Sequence, residues 1–88
     1  MTYRVRIPGS VRRYVNPLDR STQSRVLARL DEIAADPFDT AISKQLHEAG
    51  GLRSSRVGSL RILYEVDETI RVVDVTDIGP RGDIYRGR

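Results

Sequence analysis

The fold of this chain is decided by the stretch Gly51-Leu52-Arg53-Ser54-Ser55-Arg56-Val57-Gly58-Ser59-Leu60-Arg61-Ile62-Leu63-Tyr64-Glu65-Val66. Its second half carries an apolar side chain at every other position, namely at Leu60, Ile62, Tyr64 and Val66. An alternation with a period of two is typical of a β-strand whose two faces have different environments. Gly58 can adopt a positive φ without a steric penalty, so it favours a tight reversal before that strand. The stretch therefore predicts a β-hairpin.

Three arginines, Arg53, Arg56 and Arg61, lie in this predicted hairpin. A strand holds a side chain in place more rigidly than a loop does. The guanidinium group is planar, permanently charged and matched in geometry to phosphate oxygens. Three such cations on a small sheet predict a surface that binds phosphate groups.

The length and composition of the chain limit the kinds of site that it can hold. Its 88 residues correspond to a single domain, residues 1–88. The chain has no cysteine, and its single histidine, His47, excludes a site built from several histidines. We therefore expect neither a metal nor a cofactor. The sequence has no apolar run of membrane-spanning length and no apolar segment typical of a signal peptide, so we expect a cytoplasmic protein with no membrane partner.

Positive charge is concentrated in two parts of the chain. Residues 1–30 contain seven arginines against one acidic residue, whereas residues 31–50 contain five acidic residues against one lysine. Residues 51–66 are again positive, with three arginines against one glutamate. Such a distribution suits nucleic acid or an acidic protein segment as a partner.

Two helices are predicted after a first strand at residues 2–7, which Pro8-Gly9-Ser10 ends. The first is a short helix from Val11 to Val15. The second and longer helix has Asp19 or Ser21 as its N-terminal cap and ends at Asp36-Pro37, because the residue before a proline is disfavoured in helical conformation. Its apolar stripe consists of Val26, Leu27, Leu30, Ile33 and Ala34.

The remaining elements follow the longer helix. Residues 41–48 could form one or two helical turns, and Gly50-Gly51 then leads into the hairpin. A reversal at residues 67–69 precedes a last strand, residues 70–78, which Gly79-Pro80 ends. The predicted order is β-α-α-β-β-β. It indicates an α+β fold, with a four-stranded antiparallel sheet and two N-terminal helices packed on one of its faces.

Three segments also occur in a characteristic order. They are Asp36-Pro37 followed by Lys44-Gln45-Leu46, the hairpin stretch Leu52–Val66, and the ending Asp77-Ile78-Gly79-Pro80-Arg81-Gly82-Asp83-Ile84-Tyr85. In the ending, an arginine after the last long strand is followed four residues later by a tyrosine. This combination resembles the RelE/ParE superfamily of bacterial toxins over essentially the whole chain, and it is closer to the RelE branch.

The resemblance implies specific roles for residues of this chain. RelE-like toxins of type II toxin–antitoxin systems are endoribonucleases, many of which cut messenger RNA on the ribosome and so inhibit translation. By the resemblance, Arg61, Arg81 and Tyr85 are catalytic, and Arg56 stands where the superfamily often places a basic residue. The chain departs from its relatives at Pro80, where histidine is frequent.

A second departure is Leu60, where the superfamily commonly has an aromatic residue. Arg53 and Lys44 are further candidates for contacts with the RNA backbone. Each is also explained as a solvated surface charge. Tyr64 is predicted to belong to the core, because it shares a strand face with Ile62 and Val66.

The chemistry implied for such a site requires no metal. The 2′-hydroxyl of the RNA attacks the adjacent phosphorus and gives a 2′,3′-cyclic phosphate and a 5′-hydroxyl. Tyr85 can act as the base only if neighbouring guanidinium groups lower its pKa from about 10. Arg61 and Arg81 could supply that effect and also hold the phosphate. Structural explanations stay open, since Arg61 could pair with an acid on its own or the next strand, and Tyr85 could pack at the sheet edge.

Two other functions stay open at this point. A ParE-like toxin inhibits DNA gyrase without nuclease activity, and a degenerate, non-toxic homologue only binds the antitoxin. Every version implies an antitoxin partner in a hetero-oligomeric complex, because the positive segments would attract an acidic antitoxin segment. The ribonuclease version adds messenger RNA and the ribosome as partners.

Overall fold

The computed structural model describes residues 2–46 and 50–80. The elements in this part of the chain are β1 (Arg4–Arg6), α1 (Gly9–Val15), α2 (Arg20–Ala35), β2 (Lys44–Gln45), β3 (Arg53–Val57), β4 (Leu60–Asp67) and β5 (Val72–Pro80). The strands form one sheet in the order β1-β5-β4-β3-β2, with the two helices preceding four of the strands in the chain. The α+β class and the two N-terminal helices are therefore confirmed.

Helix α2 begins and ends where the sequence predicts. Asp19 is its N-cap, and its carboxylate accepts hydrogen bonds from the Thr22 amide at 3.0 Å and the Thr22 hydroxyl at 2.7 Å. These bonds lower the pKa of Asp19 from its ordinary value, the side-chain bond being the larger cause. Asp36 is the C-cap and precedes Pro37, which agrees with the predicted end.

The predicted hairpin corresponds to strands β3 and β4. Gly58 has a φ of 59° in the turn between them, which explains why the turn requires glycine. Tyr64 is fully buried, and its hydroxyl donates to the carbonyl oxygen of Pro37 at 2.7 Å. The assignment of Tyr64 to the core is confirmed.

The strand register divides the hairpin into two faces. Residues that pair directly across β3 and β4 carry their side chains on the same side of the sheet. The face that packs against the helices, here called the helix face, holds the core residues Val57, Leu60, Ile62, Tyr64, Val73, Val75 and Ile78. Val26, Leu30 and Ile33 of α2 and Val11 of α1 cover it. The opposite face, here called the arginine face, carries Lys44, Ser54, Arg56, Arg61 and Asp77.

The sheet differs from the predicted four-stranded antiparallel arrangement, because its described part has five strands of mixed direction. β1 pairs in parallel with β5, through Arg4–Val72, Val5–Val73 and Arg6–Asp74. β1 lies at one edge of the described sheet. The chain then forms the two helices, which cross the helix face, and enters the sheet again at the other edge as β2. This crossover allows the first and last strands to run in the same direction.

The loop before the hairpin was also predicted incorrectly. The described part of residues 41–48 forms a turn and the short strand β2, which pairs with Arg53 and Ser54, instead of helical turns. Asp39 stabilises the turn, because its carbonyl oxygen accepts from the amides of Ile42 and Ser43 at 3.2 and 3.1 Å. Pairing with β3 outweighs the local helical preference of this segment.

The last strand is displaced by two residues from its prediction. It begins at Val72, because Ile70 and Arg71 belong to the preceding turn and Arg71 has a φ of 55°. It continues through Pro80, which pairs with Leu60. A proline has no amide N–H, so Pro80 cannot donate a hydrogen bond to the neighbouring strand at this position.

Candidate nucleic-acid interface

Arg56 and Arg61 are direct neighbours on the arginine face. They pair across β3 and β4, so both side chains leave the sheet on the same side. Arg56 is exposed, and Arg61 is half-buried. The hairpin thus brings together a residue predicted to be catalytic and a residue predicted to contact RNA.

A groove of about 260 Å³ lies beside these two arginines. The described residues that line it are Ile42, Ser43, Lys44, Ser54, Arg56 and Arg61. The three cations come from the three adjacent strands β2, β3 and β4. Guanidinium, ammonium and hydroxyl groups are all donors to phosphate oxygens. The groove therefore has the chemistry of an anion-binding site.

Acidic side chains also lie on this face. Of the acids Glu65, Asp74 and Asp77, Asp77 is nearest to Arg61 in the register, because it pairs with Leu63. Asp74 lies farther along and accepts two hydrogen bonds from Arg6, at 2.7 Å from Nε and 3.0 Å from Nη2. The hydrogen bond from Arg6 lowers the pKa of Asp74, and the same bond raises the pKa of Arg6.

Arg53 lies on the helix face, since its partner in the register is Tyr64. Only 8% of Arg53 is exposed. Its Nε and Nη2 atoms donate to the Ser43 hydroxyl at 3.3 and 2.9 Å, and its Cζ atom lies 5.5 Å from the centre of the Phe38 ring. These contacts hold the loop before β2 against the sheet. The contact of Arg53 with RNA stays a prediction, and the structure gives this side chain a structural role as well.

The other two residues predicted to be catalytic, Arg81 and Tyr85, lie outside the described residues, as does His47. The last described residue of β5 is Pro80, and its partner Leu60 is adjacent to Arg61 in β4. The chain therefore reaches residue 80 beside the groove. The roles of Arg81 and Tyr85 stay predictions.

Two serines of the groove were not predicted from the sequence. Ser54 could have been found, because the alternation of β3 places it on the same face as Arg56. Ser43 could not, since it reaches the groove through the turn that follows Asp39, and that turn has no periodic pattern. Its hydroxyl donates to the Asp39 carbonyl oxygen at 3.1 Å, which fixes its position.

Comparison with known families and structures identifies this architecture. Residues 5–85 match the family model described as "ParE toxin of type II toxin-antitoxin system, parDE". The chain belongs to the RelE/ParE superfamily of type II toxins. No curated protein matches it at a significant level.

Solved structures of RelE proteins are similar to this toxin over most of its length. The archaeal RelE of the RelE–RelB complex from Pyrococcus horikoshii OT3 has 28% sequence identity and a TM-score of 0.81, with 94% of this chain and 99% of that chain covered. The RelBE2 toxin–antitoxin complex of Mycobacterium tuberculosis gives 25% identity and a TM-score of 0.78, with 92% and 100% covered. A mutant of the E. coli toxin RelE in the free state shares the fold. It has 20% sequence identity and a TM-score of 0.76, with 91% of this chain and 84% of that chain covered.

No group of three or more His, Cys, Asp or Glu side chains in residues 2–46 and 50–80 is arranged to hold a metal ion. Within the same residues, no helix has the length and apolar character needed to cross a membrane.

Proposed function

We propose that this toxin is a metal-independent endoribonuclease that cleaves messenger RNA on the ribosome and thereby inhibits translation in the cytoplasm. The observation that carries the proposal is the groove that Lys44, Arg56 and Arg61 line. Three cations on adjacent strands suit the successive phosphate groups along an RNA strand. The similarity to RelE structures at 28% and 25% identity supports the RelE branch.

The proposed chemistry divides two tasks among three residues. Arg61 and Arg81 hold the scissile phosphate and stabilise the negative charge that develops when the 2′-hydroxyl attacks. Tyr85, with its pKa lowered by those cations, removes the proton of the 2′-hydroxyl. The products are a 2′,3′-cyclic phosphate and a 5′-hydroxyl. The P–O5′ bond breaks as the 2′-oxygen attacks, and because arginine retains its proton at neutral pH, the leaving 5′-oxygen takes its proton from solvent water.

The proposal is tested by expressing the toxin in bacterial cells and mapping the 5′ ends of messages within minutes. We expect cuts inside translated codons and arrest of growth. The variants Arg61→Gln, Arg81→Ala and Tyr85→Phe should each abolish both effects while the protein stays folded. Arg20→Gln is the matched control, because it removes one positive charge from an exposed position at the start of α2.

Persistent cleavage in all three variants would contradict the assigned residues. Intact messages in wild-type cells would contradict the ribonuclease activity itself. Because the matching family model is described as a ParE toxin, inhibition of DNA gyrase is the second candidate. A DNA-damage reporter in the same cells distinguishes it, since a gyrase inhibitor induces the reporter and leaves messages intact.

We also propose an antitoxin as the partner that neutralises the toxin in a hetero-oligomeric complex. Two of the similar structures are toxin–antitoxin complexes, which supports this assignment. An acidic antitoxin segment would be attracted by the seven arginines of residues 1–30 and by the cations of the groove.

A further inference from the structure

Arg29 connects the helix layer to the strand that carries Arg56. Its Nη1 atom donates two hydrogen bonds of 2.8 Å each, one to the Ser55 hydroxyl oxygen and one to the Arg56 carbonyl oxygen. Its Nε atom donates to Oε1 of Glu32 at 2.8 Å, within α2. A planar guanidinium with bonds on two of its edges is held in a single orientation. Arg29 is therefore a rigid connection between α2 and β3.

The connection lies where β3 lacks a described neighbouring strand. In the described sheet, β2 pairs with β3 only at Arg53 and Ser54, so the edge of β3 extends beyond β2. The carbonyl oxygen of Arg56 lies in this extension and accepts its hydrogen bond from Arg29. A carbonyl oxygen at a sheet edge has no strand partner, and a fixed donor satisfies it and restrains the backbone at that point. Arg29 thus restrains the backbone of a residue that lines the groove.

Through the Ser55 hydroxyl, the same guanidinium is also connected to the opposite wall of the groove. Ser55 is fully buried, and while its hydroxyl accepts from Arg29 it donates to the Ile42 carbonyl oxygen at 2.6 Å. Ile42 and the two residues after it line the groove from the side of β2. Hydrogen bonds in series strengthen one another, so Arg29 and Ser55 form one connected unit. Both walls of the groove are attached to this unit.

We infer that Arg29 is a positioning residue, which sets the distance between the Arg56 wall and the Lys44 wall of the groove without contacting the bound RNA. The inference rests on the proposed function, because it takes the ligand of the groove to be an RNA phosphate. It predicts that the effect of Arg29 on binding passes through Arg56.

The test is a double-mutant cycle on the purified toxin. The probe is a fluorescent single-stranded RNA of about twelve nucleotides, 2′-O-methylated throughout so that it binds but is not cleaved. Arg29→Ala should weaken binding about tenfold relative to the control Arg20→Ala, which removes the same charge from an exposed site on the same helix. Arg56→Ala should weaken binding to a similar degree. The double variant should bind no more than about twofold more weakly than Arg56→Ala alone.

Two results would overturn the inference. If the two single effects multiply in the double variant, Arg29 acts independently of Arg56 and the positioning role is rejected. If Arg29→Ala binds as well as Arg20→Ala, Arg29 has no role at the groove. Arg29→Lys separates the effect of charge from the effect of hydrogen-bond geometry. Lysine keeps the positive charge but lacks the planar guanidinium, so we expect this variant to lose part of the RNA affinity at unchanged net charge.

A readout without RNA separates this inference from the proposed function. The ¹⁵N order parameters of the Arg56 backbone amide and side-chain Nε should fall in Arg29→Ala and stay unchanged in Arg20→Ala. If the probe fails to bind wild-type toxin, or binds Arg56→Ala equally well, the groove does not bind free RNA and the order parameters alone decide on Arg29. Unchanged order parameters would then reject the positioning role.

Discussion

Arg53 and Arg56 lie three residues apart on β3 and have opposite environments. Arg53 is on the helix face, is 8% exposed and donates to Ser43. Arg56 is on the arginine face, is exposed and lines the groove. Because strand side chains alternate, an odd spacing sends two identical residues to opposite faces. One residue type therefore makes buried structural contacts on one face of the sheet and lines the groove on the other.

The largest effect is expected from the helix face. Ile62 is fully buried in the core cluster, so Ile62→Ala should lower the free energy of unfolding by about 2–5 kcal/mol. Urea denaturation measures this change. Leu27→Ala is the control, because Leu27 is 56% exposed and its loss should cost about 0.5 kcal/mol or less. Equal losses in the two variants would mean that the helix face is not the principal source of stability.

The two arginines themselves provide the next prediction. Arg53→Ala removes hydrogen bonds made by a buried charge and should lower the free energy of unfolding by about 1.5–3 kcal/mol. Arg56→Ala should change it by about 0.5 kcal/mol or less, because the side chain is exposed. Urea denaturation of both variants, with RNA binding measured on the folded protein, checks the contrast. An Arg53→Ala variant that keeps its stability and loses RNA affinity would support the predicted RNA contact and contradict the structural role of Arg53.

The sequence was informative where a residue acts through its own local geometry. Asp19 caps α2, Pro37 follows its end, and Gly58 forms the hairpin turn, all as predicted. The alternation of β4 also placed Tyr64 in the core. Each of these signals depends on neighbours within a few residues, so the sequence contains them directly.

The errors concern contacts between distant parts of the chain. β1 pairs with β5 across more than sixty residues, and its direction depends on how the helices cross the sheet. β2 has two residues, too few for a periodic pattern. The grouping of Arg53 with Arg56 and Arg61 as one surface was wrong in its geometry, because the register places Arg53 on the helix face. Arg29 gave no signal at all, since a helical arginine is usually solvated.

The turn between the two strands offers a smaller test of the hairpin that carries both faces. Gly58 has a φ of 59°, and a Cβ at this position would lie 3.0 Å from Nη2 of Arg25. Gly58→Ala should therefore lower the free energy of unfolding by about 1–2 kcal/mol, measured by thermal or urea denaturation. Gly51→Ala is the matched control, because a Cβ there has no atom within 4 Å and the backbone is outside the left-handed region. A similar loss in both variants would show that the left-handed backbone is not the cause.

The smallest effect is expected from the surface ion pair on the arginine face, between Arg6 and Asp74. The folded state lowers the pKa of Asp74, mainly through the hydrogen bond from Arg6, so the pair stabilises the fold above the unfolded pKa of about 4. This contribution disappears as the pH falls through the lower folded value. Both side chains are substantially exposed, at 58% and 40%, so the contribution is small and is screened by salt.

The free energy of unfolding of wild type should therefore exceed that of Asp74→Asn by a constant amount above about pH 5, and the difference should shrink as the pH falls below about 4. Urea denaturation from about pH 3 to about pH 7, at low and high salt, measures it. Asp31→Asn, which removes an exposed carboxylate from α2, controls for net charge. A difference that grows on acidification has the opposite sign to the one required by a lowered pKa, and it would mean that Arg6 does not stabilise the carboxylate.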